Sequence, residues 1–276
     1  MKPTPACPQV LLDARKGGAA AERYVRPSAE ERSAMSRLFA RLVSEGPALA
    51  RADAVPLGFL LNPLTEDQAT WSLVEQHSRL RGGGAYLIRT LAPRNLLIQA
   101  PHTFYDEGTL PLACELFQRA QARALFIETA HRYKAAEAEP DGAFPADLAH
   151  AEDSLFQAAT AGVLEAGAGA TIVQLHGFAA RDSHFAVVVS SGAKRGSARV
   201  DRVQQELGAL VEGVARFPQE ASELGATTNV QGKLARRSGH EFVHVELSAP
   251  LRARLLGDPV FRGAFIEALV KGLTPP

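Results

Sequence analysis

Residues 96–128 read LLIQAPHTFYDEGTLPLACELFQRAQARALFIE. The segment opens with a short apolar run at 96–100, continues with a helical pattern over about 109–122, and closes with a second apolar run at 124–128. Strand, helix, strand over some thirty residues is the unit from which parallel sheets are built, because parallel neighbours need a crossover connection. Between the first run and the helix lies Pro101-His102-Thr103-Phe104-Tyr105-Asp106-Glu107-Gly108-Thr109, a tight loop holding an imidazole and two acids.

Working outward, further apolar runs occur at 57–61, 85–91, 171–175, 185–189 and 242–246. Helical stretches are expected at 28–45, 65–80, 152–165, 198–213 and 259–273. The first has a capping-box pair in Ser28 and Glu31, with Met35, Leu38, Phe39 and Leu42 at helical spacing. Thr65 with Gln68 suggests a cap for the second, which Arg81-Gly82-Gly83-Gly84 would stop, and Asp258-Pro259 opens the last. Residues 135–151 and 217–239 have no period and read as irregular. The alternation predicts an α/β fold, a single domain with a mixed, mainly parallel central sheet flanked by helices on both faces. Residues 1–26, which mix Pro, Gly and Lys with little period, read as an N-terminal arm, and 27–276 as the α/β domain.

The 276 residues suit one large domain, and 46% hydrophobic residues supply a sizeable core. Thirty basic and thirty acidic residues cancel, which argues against nucleic acid and anionic membranes as partners. No apolar run reaches the roughly 20 residues that span a bilayer, and the first residues lack a signal-peptide core. The expectation is a soluble protein, with the cytoplasm favoured over export and the oligomeric state open. Cys7 and Cys114 alone make no disulfide framework and no CxxC metal pair.

In open α/β sheets ligands bind beyond the carboxyl ends of strands, so polar residues directly after apolar runs are the candidates. This filter selects His102, His131 and His176 from the eight histidines. His77, His150, His184 and His240 read as structural or solvated, and His244 stands between core and support for the site. His102, an acid of the following loop and His176 would give a tetrahedral Zn²⁺ three ligands and leave one position open. The adjacent carboxylates Asp106 and Glu107 are not separated by sequence, and a helix N-cap is the alternative role for the pair. Glu246 ends the run 242–246, where a charge must be solvated, paired or functional. It is a candidate general base, with an ion pair to Arg252 or Arg254 as the alternative.

Taken together, His102-x-x-x-x-Glu107-Gly108-Thr109, Gln174-Leu175-His176-Gly177-Phe178 and Val243-His244-Val245-Glu246-Leu247-Ser248 with Arg252 resemble motifs of the zinc-dependent poly-γ-glutamate hydrolases and N-formylglutamate amidohydrolases, relatives of the zinc carboxypeptidases. A fourth segment, Glu128-Thr129-Ala130-His131-Arg132-Tyr133, is similar to the stretch bordering that family's substrate pocket. The resemblance spans residues 96 to the C-terminus. It implies a zinc-carboxypeptidase-like fold, zinc held by His102, Glu107 and His176, and Glu246 as general base and acid. Thr103-Phe104-Tyr105 departs from the small residues often found between the first two ligands, which leaves the substrate open.

Under this reading the reaction is hydrolysis of an amide in a small acidic or γ-glutamyl-type substrate. Arg132 is the first candidate for stabilising the oxyanion or clamping a carboxylate. Tyr133, Arg181 and Arg252 are lesser candidates for that role, and His131, Tyr133, Arg252 and Asn229 are candidate substrate contacts. The competing hypothesis is a non-catalytic domain of the same fold that binds a peptide or cell-wall fragment. A serine hydrolase is disfavoured because no GxSxG elbow follows a strand. Gly82-Gly83-Gly84 lacks the Lys-Ser/Thr of a phosphate loop.

Overall fold

The computed structural model describes residues 7–20, 24–133, 144–179 and 185–274. Before the sheet come α1 (Gln9–Ala20), α2 (Ala29–Ser44) and α3 (Pro47–Ala54). Then follow β1 (Phe59–Pro63), β2 (Thr70–Glu75), β3 (Ala85–Arg89), β4 (Arg94–Ala100), α4 (Thr109–Arg119), β5 (Ala122–Ile127), α5 (Leu155–Ala166) and β6 (Thr171–Phe178). The chain closes with β7 (Val187–Ser190), α6 (Ala198–Gly208), β8 (Val214–Arg216), α7 (Val230–Arg237), β9 (Glu241–Ser248), α8 (Ala249–Gly257) and α9 (Pro259–Leu273).

The strands form one sheet in the order β1-β2-β3-β5-β4-β6-β9-β7-β8. Its centre, β5-β4-β6-β9, is parallel throughout. Antiparallel pairings attach β3, β2 and β1 on one side and β7 on the other. Buried residues of α1, α4, α6, α8 and α9 pack on one face, and those of α2, α3, α5 and α7 on the other. The expected mixed α/β sheet with helices on both faces is thus present. Strand β4 runs out to β5 through α4, and the chain then returns through α5 to β6 on the opposite side of β4. Strand order therefore reverses at β4, which opens a crevice at its carboxyl end.

Local chemistry explains most boundaries. The Ser28–Glu31 capping box closes reciprocally, with N–H to side-chain oxygen distances of 3.2 and 2.8 Å, and Met35, Leu38, Phe39 and Leu42 are buried. Three expectations are corrected. The helix expected at 65–80 is instead β2, pairing antiparallel with β1 and β3. Asp67 accepts hydrogen bonds from the Ala69 N–H and the Thr70 hydroxyl, making a turn, and Thr70, Trp71 and Val74 favour the pleated surface. Residues 9–20 of the supposed arm form α1, where a Cβ on Gly18 would meet the Thr129 carbonyl oxygen at 2.0 Å. That glycine serves close packing, not flexibility. The irregular stretch 217–239 contains α7, capped by Asn229, whose Oδ1 accepts from the Gly232 N–H at 2.8 Å. A disulfide joins Cys7 to Cys114, tying the start of α1 to α4. Among the described residues no helix is long and apolar enough to cross a membrane.

Candidate metal centre

The loop after β4 folds as a single turn. Tyr105 and Asp106 both donate their N–H groups to the His102 carbonyl, at 3.0 and 2.7 Å. Gly108, in the left-handed region at φ 89°, leads the chain into α4. Positions i and i+4 of such a turn share a side and i+5 does not. His102 and Asp106 accordingly face the same space, with Nδ1 of His102 3.6 Å from Oδ2 of Asp106. His176, reached through the parallel β4–β6 pairing, places its Nδ1 3.3 Å from the same oxygen.

The structure therefore brings His102 and His176 together as expected, but with Asp106 as the acid. Glu107 is exposed, turned from the cluster, and contributes only its backbone carbonyl, which accepts from Nε of Arg252 at 2.8 Å. The ambiguity between adjacent acids resolves toward Asp106 because the turn sets their phase.

Across β9, His176 pairs in register with Glu246 and Gln174 with His244. The imidazoles of His102, His176 and His244 form a row with centroid separations of 4.9 and 4.6 Å. Ligand atoms of His176, His244 and Glu246 lie within 4.8 Å of one another, as do those of His102, Asp106 and His176. His102, Asp106, His176, His244 and Glu246 line one cavity of about 680 Å³.

Each histidine of the first triad is held from behind. Nε2 of His102 lies 2.8 Å from Oδ1 of Asp147, and Nε2 of His176 lies 2.8 Å from Oε1 of Gln174. Asp147 also pairs with Nδ1 of His150 at 3.1 Å and with Nη2 of Arg132. Burial alone would lower the pKa of His102, but the neighbouring carboxylates of Asp106 and Asp147 overcome it and raise the group to about 9. Burial dominates at His176, which falls to about 4, and drives His244 well below its ordinary value. Burial works against ionisation of Asp106 and Asp147, yet their histidine partners hold both well below the usual carboxylate range. Glu128, fully buried at the end of β5, accepts from the Phe104 N–H at 3.0 Å, and burial pushes it up to about 8.

The remaining expected residues take mixed positions. Arg132 lines the cavity, but its guanidinium is engaged with Asp147 and stands 5.4 Å from both the Tyr105 and Tyr133 ring centres. His131 is set among Phe104 and the cavity-lining Tyr105 and Tyr133, and its Nδ1 accepts from the Tyr133 N–H. Asn229 lines the cavity while capping α7 and donating to Gln174. Arg252, a cavity-lining residue, is bound to the carbonyls of Glu107, Phe178 and Leu247. Arg181 and His184 lie outside the described residues, as does 135–143 of the expected loop at 135–151. Sequence reasoning missed Asp147, Gln174 and the cavity-facing His150, which it had taken as structural or solvated. Two glutamines inside apolar strand runs, Gln99 and Gln174, were the available signal.

The donors suit a zinc-type cation. Oδ2 of Asp106 is buried and takes part in no hydrogen bond, and it faces two imidazole nitrogens whose opposite ring atoms are anchored. That is the arrangement of oriented histidine ligands with supporting partners.

No family model matches the chain, and no curated protein matches it. Among solved structures, the chain is similar to a gene product of Agrobacterium tumefaciens at 16% identity and TM-score 0.48, over 66% of this chain and 90% of that one. It is similar to an N-formylglutamate amidohydrolase from Ralstonia eutropha at 12% identity and TM-score 0.45, over 70% and 96%. It is also similar to a bacteriophage poly-γ-glutamate hydrolase at 13% identity and TM-score 0.43, over 70% and 89%. These are likenesses of fold alone, each at a TM-score below 0.5.

Proposed function

We propose that the chain is a zinc-dependent hydrolase of C–N bonds, an amidohydrolase or peptidase acting on a small acidic or γ-glutamyl-type amide. The observation that supports it is the convergence of His102 Nδ1, Asp106 Oδ2 and His176 Nδ1 at the carboxyl end of the parallel strands, with Glu246 lining the same cavity. The substrate class rests on the motif resemblance.

His102, Asp106 and His176 would hold the ion, which when bound supplies Lewis acidity to polarise a carbonyl and to acidify water. Glu246 accepts a proton from the attacking water and passes it to the nitrogen as the C–N bond breaks, so that one water is consumed and acid and amine are released. Arg132, committed to Asp147, steadies the carboxylate behind His102. Tyr133 and His131 offer an aromatic edge to the substrate, and Asn229 and Arg252 shape the cavity wall. The disulfide is a feature of oxidising compartments, and we place the working protein in one.

Metal analysis and turnover of γ-glutamyl and N-acyl amino-acid amides test the reading. About one zinc per chain is expected, with activity lost to chelator and restored by zinc. Glu246→Gln should retain the metal and lower turnover by about 10²–10⁴-fold. Full activity in that variant overturns its assigned role. Zinc-loaded protein that binds such amides without cleaving them indicates a binding domain instead.

A further inference from the structure

Four carboxamides lie buried behind His176: Gln99 on β4, Gln174 on β6, Asn229 at the start of α7 and Gln231 within it. Each has two chemically distinct ends, and the donors and acceptors around them fix which way each end points. Nε2 of Gln231 donates to the backbone carbonyl of Leu148 at 2.8 Å, so its Oε1 faces Gln174 at 3.1 Å. The Thr160 hydroxyl, on α5, donates to the Phe156 carbonyl at 2.8 Å. It can only accept from Gln99 Nε2, 2.8 Å away, which turns Oε1 of Gln99 toward Gln174 at 2.9 Å.

Gln174 thus meets two acceptors and must present its NH₂ group to both. Its Oε1 faces the other way, where Nδ2 of Asn229 donates at 2.6 Å. Asn229 is itself oriented, because its Oδ1 takes the Gly232 N–H. The remaining partner of Gln174 Oε1 is Nε2 of His176 at 2.8 Å. An oxygen that only accepts requires that nitrogen to carry hydrogen, so the neutral ring turns the lone pair of Nδ1 toward Oδ2 of Asp106 at 3.3 Å. Two acceptors facing each other repel, and a cation between them removes the repulsion.

We propose that this amide chain, anchored on the backbone at Leu148, Phe156 and Gly232, sets the tautomer of His176 and makes its Nδ1 ready for a metal. Gln174 is the positioning residue, and Thr160 and Gln231 are its remote supports. The affinity consequence rests on the metal reading above, whereas the tautomer does not. Loss of such a supporting partner lowers metal affinity by about 10–100-fold.

The test uses the full chain, with zinc as the only ligand. Long-range ¹H–¹⁵N spectra of the metal-free protein should show His176 as the Nε2–H tautomer. Gln174→Met should move it toward Nδ1–H and weaken zinc binding about 10–100-fold in a chelator competition. Thr160→Val should shift both readouts in the same direction, and Thr160→Ser should restore them. This pair, remote from the cavity, decides the matter where Gln174→Met does not fold. An Nδ1–H ring in the wild type overturns the proposal, as does an unchanged tautomer in both Gln174→Met and Thr160→Val. If the tautomer responds as described but the wild type takes up no zinc, the amide chain stands and the metal reading falls.

Discussion

Oδ2 of Asp106 sits 3.3 Å from Nδ1 of His176, although the two residues are seventy positions apart and belong to different strand ends. The loop that carries Asp106 turns once around the His102 carbonyl, and that turn decides which of two adjacent acids reaches the cluster. Asp106→Asn should therefore weaken zinc binding by more than the roughly hundredfold seen for supporting residues. Glu107→Gln should leave it within about threefold of wild type. A chelator competition series compares them directly. The reverse ranking would remove Asp106 from the site.

Arg252 makes its contacts with backbone rather than with an acid. Its guanidinium binds carbonyls at Glu107, Phe178 and Leu247, so it links the β4 loop to the ends of β6 and β9. Arg252→Lys loses the planar fork that reaches all three. Urea unfolding should show about 2–4 kcal/mol lost on the scale of hydrogen bonds to charged groups. Loss of activity with unchanged stability would instead argue for direct contact with substrate.

Glu128 provides a pH test. Its folded-state pKa of about 8 lies above the roughly 4.3 of an unperturbed glutamate, so the native state holds this proton more tightly than the unfolded chain. Its contribution is full below the lower value and is lost as pH rises toward 8. Glu128→Gln mimics the protonated form. In metal-free protein the melting temperature of the variant should match wild type near pH 4 and exceed it increasingly up to about pH 8. A constant difference over that range would show that Glu128 does not titrate there.

Much of the site's scaffold was legible because apolar runs ending in His102, His176 and Glu246 mark strand ends, and parallel strand ends converge. Asp106 could not be separated from Glu107, since the phase of a loop is set by its own hydrogen bonds. Asp147 was hidden because its importance comes from His102, which lies forty-five positions earlier, while its own surroundings read only as Pro/Gly loop. Strand β2 was misread because Thr65 and Gln68 mimic a cap, whereas Asp67 makes the turn that the structure uses. Helix α1 was missed because glycines that permit close contact look the same in sequence as glycines that permit motion.

The Cys7–Cys114 bridge spans 107 positions and fixes the start of α1. From that helix Arg15 reaches the Thr103 hydroxyl and carbonyl at 3.1 and 3.0 Å and lies 4.1 Å over the Phe104 ring. The amino-terminal segment is in effect a staple across the loop that presents His102 and Asp106. Fusion tags, truncations at that end, or thiol reagents in a purification buffer thus act on the His102–Asp106 loop from outside the cavity, and preparations that differ only in these respects should differ at the candidate metal centre.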